Sequence, residues 1–147
     1  MLPLTREDVC FDVGCGKGRT VCHFARMRVR KVVGIEVSAR LAACAAANAR
    51  SLRGRVAPIE IRNTDAALAD YDEGTLFFMF NPFGAKTMTS VLSRIEAAHR
   101  PAKRQVRIVY VNPILREALG GLPWLRRERS VTLVNGLGVE IYRTSFE

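Results

Sequence analysis

Metal and disulfide chemistry have little to work with in this sequence. Its 147 residues hold only four cysteines and two histidines. Cys10, Cys15, Cys22 and Cys44 form no paired Cys-x-x-Cys knuckles, and no His/Cys/Asp cluster has ligand spacing, so no metal site is expected. A disulfide framework is a device of smaller secreted domains. Cys10, Cys22 and Cys44 read as small core residues. Cys15 lies inside a glycine turn, where its backbone is expected to matter more than its sulfur. His23 and His99 fall in predicted helices without a partner motif and read as packing or surface residues. The single tryptophan, Trp124, reads as an edge or core aromatic rather than a base-stacking platform. No apolar run approaches the roughly 20 residues that span a bilayer. The N-terminus reaches Glu7 and Asp8 before any apolar stretch, unlike a signal peptide. The expectation is a single domain over 1–147, cytoplasmic and not membrane-bound.

Acidic residues are also scarce. Fourteen Asp and Glu face 23 Lys and Arg, a net charge of +9. That surplus favours an anionic partner, nucleic acid first. The arginines are nonetheless spread along the chain, which an arginine-rich proteome would also give. The densest clusters are Arg26-Arg28-Arg30-Lys31, Arg50-Arg53-Arg55, Arg100-Lys103-Arg104-Arg107 and Arg126-Arg127-Arg129.

What the sequence does have is organised around Val9-Cys10-Phe11-Asp12-Val13-Gly14-Cys15-Gly16-Lys17-Gly18. A short apolar run suits a parallel strand covered on both faces. Gly14, Gly16 and Gly18 then allow backbone angles other residues avoid and let a ligand approach the main chain. Val21, Phe24 and Ala25 follow at helical spacing. Lys31 to Val37 reads as a second strand ending on Glu36, with Ser38 as N-cap of a helix over Ala39–Leu52 that Gly54 terminates. Ala57 to Asn63 reads as a third strand, followed by the loop Asn63-Thr64-Asp65-Ala66. Asp70 to Gly74 reads as a surface turn. Thr75 to Phe80 is the most apolar run and is expected to be a fully buried strand. It stops at Asn81-Pro82-Phe83-Gly84.

Met88, Val91, Leu92 and Ile95 give the next helix one apolar face. Val106 to Val111 reads as a fifth strand. Asn112 is expected to cap a short helix that Pro113 starts and Gly120-Gly121 ends. Arg127–Val134 and Leu137–Phe146 flank Asn135-Gly136, a strong hairpin signal. Strands alternating with helices imply an α/β, doubly wound, mostly parallel sheet, with the terminal hairpin antiparallel at one edge.

A glycine turn alone has two readings. The dinucleotide fingerprint places its third glycine three residues after the second, and here that position is Arg19. No Tyr-x-x-x-Lys pair is present either, so a nicotinamide-dependent oxidoreductase is the weaker reading. Glu36, at the tip of the second strand and 22 residues after Gly14, can take both hydroxyls of a ribose. It can equally be an ordinary acid before a helix. Asp65, at the tip of the third strand, can reach an adenine amino group or simply order its loop.

Asp12 to Gly18, with Glu36 and Asp65, resembles the class I S-adenosylmethionine-dependent methyltransferases over nearly the whole chain. The resemblance implies a Rossmann-like, seven-stranded sheet with an antiparallel last hairpin. It implies S-adenosyl-L-methionine as cofactor. Gly14, Cys15, Gly16 and Gly18 would pass beneath the methionine moiety, and Asp12 would orient its amino group. Glu36 would hold the ribose, Val37 would pack on adenine, and Asp65 with Ala66 would meet the adenine edge. Asn81-Pro82-Phe83 is similar to the Asn/Asp-Pro-Pro-Tyr/Phe motif of methyltransferases acting on planar amino groups, with one proline instead of two. It is also similar to the Asn-Asn-Phe strand end of seven-strand histone lysine methyltransferases. Both comparisons imply a nitrogen acceptor, with Asn81 as the residue aligning it and sitting near the cofactor. The acceptor itself, nucleic acid or protein, stays open. Eight residues precede the first strand, where relatives carry N-terminal helices or a substrate domain. A minimal domain, a need for a partner subunit and a truncated chain are therefore all open, as is a catalytically inactive methyltransferase-like module.

Overall fold

The computed structural model describes residues 3–146; Met1, Leu2 and Glu147, at the ends of the expected 1–147 domain, lie outside the described residues. The strands are β1 (Val9–Val13), β2 (Lys31–Glu36), β3 (Ile59–Asn63), β4 (Leu76–Phe80), β5 (Arg107–Val111), β6 (Leu125–Thr132) and β7 (Gly138–Thr144). The helices are α1 (Arg19–Phe24), α2 (Ala39–Ser51), α3 (Ala85–His99) and α4 (Arg116–Gly120). They build a seven-stranded sheet in the order β3-β2-β1-β4-β5-β7-β6. β1 to β5 pair parallel, whereas β7 runs antiparallel to both β5 and β6. Order reverses between β1 and β4, the place where an open α/β sheet leaves a crevice at its strand tips.

Burial explains the strand sequences. All five residues of β1 are buried, because helices cover both of its faces. One apolar layer joins Val9, Phe11, Val13, Phe77 and Met79 to Met88, Val91, Leu92 and Ile95 of α3. The other joins Cys10, Val32 and Leu76 to Val21 and Phe24 of α1 and Ala45 of α2. Small residues let α2 sit close: a Cβ on Gly18 would come 3.0 Å from the Ala45 Cβ. Similarly, a Cβ on Gly34 would meet the Cys15 Sγ at 2.9 Å. Cys15 is buried, so besides the backbone bond the turn makes there its sulfur fills space under β2. Cys10 is a core residue as expected, but Cys22 and Cys44 are half-buried rather than core.

Several further expectations change. β4 is not fully buried: Phe80 is 51% exposed and Phe78 half-buried, because on that face α1 packs on Leu76 and Phe78 but does not extend to Phe80. Pro113 does not start a helix. Asn112 takes a left-handed φ of 51° and therefore cannot be an extended N-cap, a turn follows, and α4 begins at Arg116. β3 begins at Ile59, since Pro58 uses only its carbonyl, accepting from Val32 N. The Asp70–Gly74 turn carries a core residue, Tyr71, 1% exposed, whose hydroxyl donates to Ala66 O. The hairpin turn is wider than Asn135-Gly136 alone. Gly136 N donates to Leu133 O, Leu133 N donates to Leu137 O, and Gly136 has φ 82°. That is the three-residue loop with a left-handed glycine. His99 is a core residue whose Nε2 lies 3.1 Å from Tyr71 O, and Trp124 is buried.

Candidate functional site

The site lies where β1, β2, β3 and β4 end side by side. Gly14 leaves β1 at φ 81°, Gly16 follows at 55° and Gly18 at 80°, the left-handed region open to glycine at little cost. The turn is pinned to the neighbouring strand, because Gly14 N and Cys15 N both donate to Ile35 O, each at 2.9 Å. Nothing lies within 4 Å of where a Gly16 Cβ would be, so the turn presents bare backbone there.

Glu36 ties this turn together. It is only 8% exposed. Its Oε2 accepts from Gly16 N and its Oε1 from Ser38 N, both at 2.9 Å. Each carboxylate oxygen has two acceptor positions, so each keeps one for a ligand hydroxyl. Glu36 thus holds the scaffold with one lone pair per oxygen and leaves the other open, so its structural role does not use up its acceptors.

A cavity of about 290 Å3 opens beside it, at the low end of small-molecule sites, about 300–1,000 Å3. Gly14, Glu36, Val37, Asp65, Ala66, Pro82 and Phe83 line it, together with Ile35, Thr64 and Thr87. Val37 is 68% exposed and so presents a free apolar surface at the rim. Asp65 Oδ1 accepts from Ala67 N at 2.8 Å, which orders the loop. The expected site residues thus divide. Cys15, Gly16, Gly18 and Asp12 shape the turn from beneath, without lining the cavity. Asp12 is 3% exposed. Burial pushes its carboxyl up to about 7, an effect that the Val21 backbone N–H opposes and the nearby Glu36 charge increases.

Asn81-Pro82-Phe83 closes the cavity from the β4 side. Pro82 packs so tightly on Gly14 that a Gly14 Cβ would lie 2.4 Å from the Pro82 Cβ. Asn81 sits at φ 40°, a strained position for a non-glycine residue of the kind that gathers at functional sites. Its Oδ1 accepts from the Tyr110 hydroxyl at 3.3 Å, and the same hydroxyl accepts from Leu115 N. Asn81 does not itself line the cavity.

Sequence reasoning missed Tyr110 and Asn112. Phe80 pairs with Val111 across β4 and β5, so Asn81 and Asn112 occupy matching tips. Both are half-buried, both precede proline, and both have positive φ. The repeated Asn-Pro after two apolar strands was visible in the sequence. Thr64 and Thr87 gave no signal, because ordinary loop and helix positions carry threonine everywhere.

The antiparallel β7 between β5 and β6 separates this sheet from the all-parallel 3-2-1-4-5-6 dinucleotide order. A family model described as a methyltransferase domain matches residues 10–102. The chain belongs to this methyltransferase family. The class I, Rossmann-like form of that family is the fold seen here, and S-adenosylmethionine is its cofactor. Among solved structures, an RNA methyltransferase from Salinibacter ruber in complex with S-adenosyl-L-homocysteine is similar at TM-score 0.66 and 22% identity, covering 98% of this chain and 85% of that one. A SAM-dependent methyltransferase from Aquifex aeolicus gives TM-score 0.69 at 16% identity, covering 97% and 85%. An rRNA methylase from Streptococcus thermophilus gives 0.67 at 12% identity, covering 98% and 90%. At such identities the likeness is one of fold. No curated protein matches the sequence.

The residues present fit the methyltransferase cofactor: a bare glycine turn, a carboxylate with spare acceptors at the β2 tip, and a second acid at the β3 tip. Among the described residues no His/Cys/Asp/Glu group could hold a metal ion, and no helix is long and apolar enough to cross a membrane.

Proposed function

We propose that this methyltransferase-family chain transfers a methyl group to a nitrogen atom of a nucleic-acid base or a protein side chain. Bound S-adenosylmethionine supplies a methyl group already activated on a sulfonium. The chain's own work is then alignment in a water-poor site. Glu36 would hold the ribose and Asp65 the adenine edge. Pro82 and Phe83 would wall the methyl group from water. Asn81 would accept a hydrogen bond from an N–H of the acceptor amine through the lone pair Tyr110 leaves free, turning the nitrogen toward the methyl group.

The observation that carries this reading is Asn81 held in a left-handed turn beside the cavity, with Tyr110 fixing its carboxamide. RNA is the acceptor to test first. The +9 charge favours it, and two structural neighbours are described as RNA and rRNA methylating enzymes.

The test is transfer of labelled methyl from S-adenosylmethionine to RNA, DNA and protein fractions, followed by hydrolysis and identification of the methylated atom. N-methyl product, lost in Asn81→Ala, supports the proposal. Carbon or oxygen methylation would replace the nitrogen assignment. Cofactor binding without transfer to any fraction would favour a binding module or partner subunit, for which the engaged Asn81 oxygen is the structural argument.

A further inference from the structure

The charge surplus is uneven along the chain. From Arg100 onward, nine Lys and Arg face four Asp and Glu. One buried carboxylate organises part of that surplus. Glu140 of β7 is 1% exposed. It pairs with Tyr110 of β5 on one side and Ser130 of β6 on the other. Alternation along β7 puts it on the same sheet face as Tyr142, the face that α3 and α4 cover. The Tyr142 hydroxyl donates to Glu140 Oε2. Two guanidiniums meet at Glu140 Oε1, Arg127 Nη1 at 3.5 Å and Arg116 Nη1 at 3.9 Å.

One guanidinium neutralises one buried carboxylate, so the second is surplus. Among the described residues no other carboxylate lies within ion-pair distance of either arginine. The surplus faces solvent, because the Arg116 and Arg127 side chains are 60% and 56% exposed. Each guanidinium has five N–H donors and spends few of them here. Arg127 gives one to Glu140. Arg116 leans on the same oxygen and donates its Nε to Pro113 O at 3.4 Å. That bond ties Arg116 to the turn at the β5 tip, and Tyr110 of β5 is the residue that holds Asn81. β7 and β6 lie one and two strand spacings of about 4.8 Å beyond β5. Two planar forks braced side by side match the oxygens of a phosphate.

We propose that Arg116 and Arg127 bind a backbone phosphate of a single-stranded nucleic-acid acceptor, with Glu140 as their brace. The inference rests on the nucleic-acid reading above and names where the acceptor's backbone runs. A base whose amino nitrogen reaches Asn81 has to be unpaired and turned out of its stack. Its backbone is then the part left to hold, and a phosphate fixed beside β7 and β6 sets which nucleotide reaches Asn81. Glu140 does not oppose the phosphate, since it is buried beneath the guanidiniums with both oxygens engaged. Neither arginine lines the cofactor cavity.

The test is binding of a labelled single-stranded oligoribonucleotide of about 12 nucleotides to the whole chain. Fluorescence anisotropy reads it with S-adenosylhomocysteine present and salt varied. Arg116→Gln and Arg127→Gln should each weaken binding about tenfold, while S-adenosylhomocysteine affinity, which reports the fold, is unchanged. A triple variant, Arg116→Gln with Arg127→Gln and Glu140→Gln, leaves no buried carboxylate unpaired. It should bind RNA at least as weakly as the single variants, with the slope of log affinity against log salt reduced by about 0.7. Wild-type binding by the triple variant overturns the proposal, because the arginines would then serve only Glu140. An equal loss in Arg50→Gln, on α2, also overturns it, because the attraction would be diffuse. Wild-type binding by both single variants, with methyl transfer to nucleic acid intact, removes this site and leaves the nucleic-acid reading standing. No binding by the wild-type chain, with methyl transfer to protein alone, removes both. Capture of anionic vesicles or of an acidic peptide, lost in Arg127→Gln while RNA is ignored, would give the site to a lipid headgroup or to carboxylates instead.

Discussion

Glu36, Gly14 and Asp12 each do a different job within a few ångströms of one another. Glu36 satisfies two backbone donors, so its removal strands Gly16 N and Ser38 N in addition to removing the proposed ribose contacts. Hydrogen bonds to a charged group are worth about 1.5–3 kcal/mol. Glu36→Ala should therefore lower S-adenosylhomocysteine affinity at least about tenfold and also lower the melting temperature of the ligand-free chain. Calorimetric titration and thermal unfolding measure the two effects separately; unchanged affinity would remove the ribose role and leave only the scaffold role. Gly14→Ala meets two obstacles, a φ of 81° and Pro82 at 2.4 Å. The left-handed backbone alone costs about 1–2 kcal/mol. The displaced Pro82 should open the cavity wall, so cofactor affinity should fall even where the variant folds.

Asp12 makes a pH prediction. Its folded-state value of about 7 lies above the ordinary 3.8. The folded chain then holds a proton that the unfolded chain has released. Stability from this group is complete below about pH 4, declines as pH rises to about 7, and is level above that. The shift corresponds to roughly 4 kcal/mol. Asp12→Asn keeps an acceptor for the Val21 N–H and has no charge to bury. The variant should gain stability over wild type progressively between about pH 4 and pH 7 in denaturant titrations. A gain independent of pH would contradict a buried, near-neutral Asp12.

Among the elements, β4 and β5 matter most, because their tips carry the two Asn-Pro turns. Tyr110 lies within β5 yet serves the β4 loop, with its hydroxyl between Asn81 Oδ1 and Leu115 N. Tyr110→Phe should leave cofactor affinity unchanged and lower the rate of methyl transfer; a loss of cofactor binding with the rate per bound complex intact would assign Tyr110 to the cavity wall instead. The elements themselves were legible wherever periodicity and turn chemistry agreed. Met88, Val91, Leu92 and Ile95 announced α3, and Val9 to Val13 announced β1. The misread segments have local physical causes. Pro113 looks like a helix start, but the preceding Asn112 adopts a left-handed turn that a sequence pattern does not reveal. Phe80 looks like core because apolar residues report what is buried in some state, not which described element does the burying. Cys15 looked like a backbone position because its packing partner, Gly34, lies on another strand.

On the scale of the whole molecule, β1, β2 and β4 converge on one crevice, and the reversed β7 separates the sheet from the dinucleotide order. That Gly14, Glu36 and Asp65 come together at one cavity was readable because they sit at strand tips at fixed sequence spacing. The acceptor half was less readable. In the proposed function it depends on Tyr110 reaching Asn81 across strands, a tertiary fact. Ligand-dependent unfolding of the intact chain tests the central claim most directly. S-adenosylhomocysteine at about 100 times its dissociation constant should stabilise the fold by roughly 2.7 kcal/mol, and NAD at the same concentration should leave it unchanged. Stabilisation by NAD with none by S-adenosylhomocysteine would contradict the account.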